Sequence, residues 1–69
     1  MMEFELDDHE YIELCDLLKV TGLCGSGGEA KIRISGGEVR VDGEVETRKR
    51  CKIRVGHVVE LAGAHIRIV

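Results

Sequence analysis

Apolar and polar residues alternate at the start of the chain. Phe4 and Leu6 are interleaved with Glu3, Glu5 and Asp7, which predicts a short strand with one buried face. The period then changes. Tyr11, Leu14, Cys15 and Leu18 fall at i, i+3, i+4 and i+7, and Ile12 and Leu17 widen the stripe, so an amphipathic helix is predicted to run to about Val20. Asp7 stands as its N-cap with Glu10 three residues on, the spacing of a capping box. Gly22 is placed to end it, because glycine enters the left-handed region without a Cβ clash.

A second capping box, Ser26 with Glu29, opens a second helix. Ala30 and Ile34 supply its inner face, Lys31 and Arg33 face outward, Ile32 fits neither face clearly, and Gly36-Gly37 ends it. With only some four or five residues between them, the two helices must pack at an angle as a compact pair.

The remainder reads as strand. Val39 and Val41 alternate with Glu38, Arg40 and Asp42, and Asp42-Gly43 is a hairpin turn because both positions tolerate positive φ. Val45 starts the return strand, and Ile53 and Val55 alternate with Lys52 and Arg54. The chain turns at Gly56-His57, points Val59 and Leu61 inward, turns again at Ala62-Gly63-Ala64, and closes the core with Ile66 and Ile68. The predicted fold is α+β: two packed N-terminal helices against a small, mainly antiparallel β-sheet, in a single domain spanning residues 1–69. A monomer is the expected state, with the terminal strand, residues 64–69, the candidate for an exposed edge that pairs with another chain.

Size and composition narrow the function. A chain of 69 residues buries only about 60% of the surface its unfolded form exposes, which leaves little room for a deep substrate cavity. No catalytic set assembles. Asp7, Asp8 and Glu10 surround His9, but at a strand-to-helix junction where acids stabilise the helix start. His57 reads as a turn residue, and there is no phosphate-cradling loop, histidine pair at helical spacing or strained nucleophile elbow. The expectation is a non-enzyme. Cys15, Cys24 and Cys51 are odd in number and nowhere two to four residues apart. With His9, His57 and His65 as the further candidate ligands, they read as reduced thiols rather than a zinc site, and no metal or cofactor is expected. No apolar run reaches membrane-spanning length. The start, Met1-Met2-Glu3-Phe4-Glu5, is acidic where a signal peptide would be basic, so a cytosolic protein is expected.

The net charge is −3, but it is unevenly distributed. Residues 1–30 carry eight acidic side chains and one basic, a net −7, whereas residues 31–69 carry nine basic and five acidic, a net +4. Charges separated by more than about 10 Å are largely screened, so a basic face can act on an acidic protein. The densest stretch is Thr47-Arg48-Lys49-Arg50-Cys51-Lys52-Ile53-Arg54, with five cations among eight residues and no acid. Its arginines can grip phosphate oxygens bidentately and its lysines act as point charges. The same residues read equally as a solvated loop that keeps a sheet edge soluble. Ser26, Gly27 and Gly28 offer backbone N–H groups at a helix start, an anion site in principle, although Glu29 makes a simply capped helix the plainer reading.

From Gly22 to Leu61 the chain resembles the RNA-binding domain of small-subunit ribosomal protein S-four. The resemblance is carried by Gly22-Leu23, Ser26, Glu29-Ala30-Lys31, Ile34, Gly37, Val39-Arg40-Val41-Asp42-Gly43 and Val45. The stretch Glu44-Val45-Glu46-Thr47-Arg48-Lys49-Arg50-Cys51-Lys52-Ile53 is similar to the stand-alone bacterial members of the YbcJ type, and the preceding helix suits the family's first helix. The resemblance implies a helix pair plus sheet whose second helix and following hairpin (the alpha-L motif) face structured RNA, with ribosomal RNA or a ribosome-associated setting the natural one. The family's contacts at the helix start map to Ser26 through Lys31. Many members have arginine directly after the serine, where this chain has Gly27, which weakens that contact.

The expected RNA-binding residues are therefore Arg48, Lys49, Arg50, Lys52, Arg54 and Lys31, with Ser26, Arg33 and Arg40 beside them. Phe4 and Tyr11, the two aromatics, are both expected to face the core. Modules that read single strands stack bases on exposed aromatics, so recognition of folded RNA by backbone and shape is expected instead. Two other classes compete: a protein adaptor, in which the acidic first helix (Glu10, Glu13, Asp16) docks a basic partner and the cationic loop an acidic one, and a small cysteine-based enzyme or metal protein.

Overall fold

The computed structural model describes residues Met1–Val69. Seven strands and two helices occur in the order β1 (Met2–Phe4), β2 (Ile12–Glu13), α1 (Leu14–Val20), α2 (Gly27–Ser35), β3 (Val39–Val41), β4 (Glu44–Val45), β5 (Lys52–Ile53), β6 (Val58–Leu61) and β7 (Ala64–Ile68). The main sheet has the order β1-β7-β6-β3-β4, and β2 and β5 form a separate antiparallel ribbon. Every pairing is antiparallel except β1 with β7. The architecture is the expected α+β one, two helices against a mostly antiparallel sheet.

One apolar cluster of 14 residues fills the space between helices and sheet. Leu14, Cys15, Leu17 and Leu18 enter it from α1, Ala30 and Ile34 from α2, and Val39, Val59, Leu61, Ile66 and Ile68 from the sheet. No polar or charged side chain is buried with them. Ile32, which the pattern left unassigned, is 73% exposed on α2.

The turns follow their residues. Asp42 (φ 53°) and Gly43 (φ 86°) make a two-residue turn of the primed kind, which matches the twist of the flanking strands. Gly22 adopts φ 80° just beyond α1 and satisfies the Lys19 carbonyl. The connection from α1 to α2 is six residues, slightly longer than expected.

Four expectations are corrected. The first helix does not begin at Asp7, because Asp7 lies in a turn at φ 61° and Ile12–Glu13 are extended, paired with Ile53 and Lys52. Tertiary pairing overrides the helical period there, and α1 is left with seven residues and no side-chain cap. Tyr11 is consequently not on a buried helical stripe but 37% exposed. Val55 is not an inward strand residue. The chain turns beyond Ile53, His57 N–H donating to the Arg54 carbonyl and Gly56 N–H to that of Ile68, and Val55 is 64% exposed. Residues 64–69 are not an edge either. β7 lies between β6 and β1, and the parallel addition of β1 is extended by bonds from Val69 N–H to the Phe4 carbonyl (2.9 Å) and Leu6 N–H to the Val69 carbonyl (3.0 Å).

Two isoleucines on one helix test this account of the core. Ile34→Ala should cost about 2–5 kcal/mol in denaturant unfolding because it leaves a cavity. Ile32→Ala should stay within about 0.5 kcal/mol of the wild type, since its side chain is exposed.

Candidate nucleic-acid interface

Beyond β4, Glu46 N–H still bonds the Val39 carbonyl, and the chain then leaves the sheet. The segment between Glu46 and Lys52 has no regular structure, yet three sets of bonds fix it. Glu46 Oε2 accepts from the Arg48 backbone N–H (2.9 Å) and from Arg48 Nε (3.0 Å), while its Oε1 accepts from Arg48 Nη2 (3.0 Å). Cys51 N–H donates to the Arg48 carbonyl, closing a tight turn. The carbonyls of Cys51 and Lys49 accept from the N–H groups of Leu14 (2.9 Å) and Cys15 (3.1 Å). These last two are among the four N–H groups that a helix start leaves without an internal partner. The cationic loop therefore caps α1 with its own backbone, and its basic side chains are left at the surface.

Arg48, Lys49, Arg50, Lys52 and Arg54 are all exposed. Arg48, Arg50 and Lys52 line one open concavity of about 400 Å³ with Cys51 beside them. Lys52 and Arg54 are brought together differently: Lys52 Nζ lies 5.0 Å and the Arg54 guanidinium carbon 5.6 Å from the centroid of the Tyr11 ring. Of the five cations only Arg48 has a carboxylate partner. Its bidentate pair pulls the Glu46 carboxyl down from 4.5 to about 2, chiefly through the side-chain and backbone hydrogen bonds from Arg48, and raises the guanidinium's own pKa. Arg48 is thus a neutralised member of the cluster, and four cations are unpaired.

The other expected residues lie elsewhere. Ser26 Oγ accepts from Glu29 N–H (3.1 Å), and Glu29 Oε1 accepts from Gly25 N–H (3.3 Å), so the Ser26 hydroxyl and the Glu29 carboxylate are engaged within the chain, while the Gly27 and Gly28 N–H groups have no protein partner. Arg33 is shared between Glu29 (3.7 Å) and Glu38 (3.5 Å), and Arg40 donates to the Gly43 carbonyl (3.3 Å) in its own hairpin. Lys31 is exposed without an ion pair. None of Ser26, Lys31, Arg33 or Arg40 lines the concavity.

Two features escaped the sequence pattern. Tyr11 belongs to the cationic surface rather than the core, because the β2–β5 register sets it alongside Arg54. Glu46 as the staple of the loop was legible in principle from its place two residues before Arg48 in a stretch otherwise free of acids. The acidic residues also gather: Glu5, Asp8, Glu10, Glu13 and Asp16, with His9, rim an open groove of about 730 Å³ whose apolar wall is Phe4, Leu6, Tyr11 and Ile12. The cysteines stand apart from one another chemically. Cys15 and Cys24 are buried and Cys51 is half-buried, all three are unpaired, and burial pushes the Cys24 and Cys51 thiols up. No three His, Cys, Asp or Glu side chains converge in a metal-holding group, and no helix is long and apolar enough to cross a membrane.

Known proteins share this architecture. The family model described as the S4 domain matches residues 4–69. Over 69 residues, all of this chain and 99% of the relative, the sequence is 54% identical to YbcJ of Escherichia coli (strain K12). It is 43% identical over 56 residues, 81% of this chain and 79% of the relative, to the Bacillus subtilis (strain 168) protein named "Probable ribosome maturation protein RlbA". The solution structure of YbcJ from E. coli, described as revealing an αL motif involved in RNA binding, superposes with a TM-score of 0.77 at 54% identity, covering 100% of this chain and 87% of that one.

The Glu46–Arg48 staple has a measurable signature. A folded-state value of about 2 lies below the unfolded 4.5, so the staple stabilises the fold fully above about pH 4.5 and is lost as pH falls through about 2. Carbon-detected NMR titration of the Glu46 carboxyl should give a midpoint near 2 in the wild type. In Arg48→Ala the midpoint should return toward the ordinary glutamate range, and a wild-type midpoint already in that range would contradict the staple.

Proposed function

This chain belongs to the S4 domain family, and on that premise we propose that it is a non-catalytic RNA-binding protein that holds structured RNA through the surface formed by Arg48, Lys49, Arg50, Lys52 and Arg54. The observation that carries this reading is the loop itself. Four unpaired cations project from a backbone that is tied down at three places, so little side-chain and loop ordering remains to be done on binding. Lysine and arginine at such a surface attract the phosphate backbone whatever the sequence, and contacts of that kind position a nucleic acid without reading its bases. Recognition is therefore mainly of backbone and shape.

Lys31 extends the reading onto α2, where it is free to meet phosphate. Ser26, Arg33 and Arg40 take secondary parts, since each is already engaged in a bond within the protein. With Glu29 in its first turn and glycine at position 27, the start of α2 carries less of the binding than the loop. The RNA-binding motif described for YbcJ supports RNA as the ligand class, and the naming of RlbA as a ribosome maturation protein supports ribosomal RNA as its natural setting. The protein acts as a cytoplasmic monomer in this reading.

Binding of a labelled, folded ribosomal-RNA fragment, compared with duplex DNA of equal length over a salt series, tests the proposal. Neutralising four to six phosphates should give log K against log salt a slope of roughly −4 to −5. RNA should bind more tightly than DNA, and a variant with Arg48, Lys49, Arg50 and Lys52 all changed to alanine should lose most of the affinity. A slope near zero, or equal binding by wild type and variant, would leave the loop a solvated surface and favour the adaptor reading.

A further inference from the structure

Tyr11 sits where the two oppositely charged faces of the protein meet. Lys52 and Arg54 lie over its ring at 5.0 and 5.6 Å. The ring also lines the open groove of about 730 Å³, in which Phe4, Leu6 and Ile12 supply further apolar wall and Asp8, Glu10 and Glu13 supply part of the rim. It is 37% exposed, and the chain has no other tyrosine and no tryptophan.

An exposed ring beside cations that hold phosphate can take the flat face of a nucleobase, whichever base it is. The carboxylates narrow what can enter. They repel phosphate, so an RNA backbone stays on the Lys52–Arg54 side, and only the uncharged part of a nucleotide can cross onto the groove side of the ring. A base inside a continuous helix is stacked on both faces and cannot make that crossing, whereas a bulged or junction base can. We infer that Tyr11 is a stacking platform for one unpaired base, with Lys52 and Arg54 holding the phosphates that flank it. The inference rests on the RNA-binding reading of the cationic surface and narrows its target to helical RNA carrying an unpaired nucleotide.

Two hairpins that differ only by one bulged nucleotide test it, titrated against wild type, Tyr11→Phe and Tyr11→Ala. Wild type and Tyr11→Phe should prefer the bulged hairpin by about 5- to 150-fold, the worth of one base–aromatic stack. Tyr11→Ala should lose that preference while still binding the fully paired hairpin with a salt-dependent affinity, binding that a misfolded variant could not show. The emission of Tyr11, the sole tyrosine in a chain without tryptophan, should fall with the bulged hairpin and hold steady with the paired one at matched absorbance. Equal binding of the two hairpins by the wild type would overturn the inference while leaving RNA binding intact, whereas failure to bind either would overturn both. Emission that responds to a lysine- and arginine-rich peptide but to neither RNA would assign the groove to a basic protein segment and likewise sink the inference.

Discussion

The capping of α1 by the backbone of the cationic loop is the contact on which the rest of the surface depends. A seven-residue helix is too short to persist by itself, and a loop with five cations in eight residues repels itself. Each solves the other's problem. The carbonyls of Lys49 and Cys51 satisfy the N–H groups of Leu14 and Cys15, and in doing so anchor the loop at the helix end, whose dipole favours the carbonyl oxygens. The short β2–β5 ribbon continues the same attachment, with Glu13 opposite Lys52 and Ile12 opposite Ile53. Ile53 then ties the ribbon into the core. The geometry of the cationic side chains is thus set by hydrophobic packing several bonds away.

Charge is organised on the same frame. A net charge of −3 conceals an acidic groove that Tyr11 helps to line and a separate cationic loop. Glu46 is the acid that immediately precedes the basic stretch, and it serves as a staple because it reaches both the backbone and the guanidinium of Arg48. The staple costs the surface one free charge and gives the loop a fixed turn. Four unpaired cations on a held backbone suit phosphate contacts better than five on a mobile one, because ordering flexible side chains and loops on binding is unfavourable.

The S4 domain relationship places these features in a known architecture. Ser26 caps the Glu29 N–H and Glu29 puts a carboxylate at the start of α2, while Gly27 adds no side-chain donor there. The loop before β5 is the larger basic feature, and its nearness to α1 rather than α2 gives the proposed interface a different centre from the one the family pattern alone implies.

Much was legible in the sequence because it rests on local chemistry. The period-3.6 and period-2 patterns located the core residues of both helices and of β3, β6 and β7, since burial of one face repeats with the geometry of the element. Gly22, Asp42-Gly43 and Ser26–Glu29 marked helix ends and turns because each meets a backbone need within a few residues. The exposed cations of residues 48–54 were legible as a cluster for the same reason. What the tertiary structure decided involves partners distant in the chain. The pairing of residues 12–13 with 52–53 cancelled the predicted start of the first helix, and the meeting of the two termini in β1 and β7 turned a candidate edge into an interior strand. That same ribbon moved Tyr11 from an expected core position to the boundary between the acidic and basic faces. A helical period and a two-residue strand cannot be told apart at Tyr11-Ile12-Glu13 from the residues themselves. The competing hydrogen bonds come from β5, some forty residues away, and only the folded chain brings them within reach.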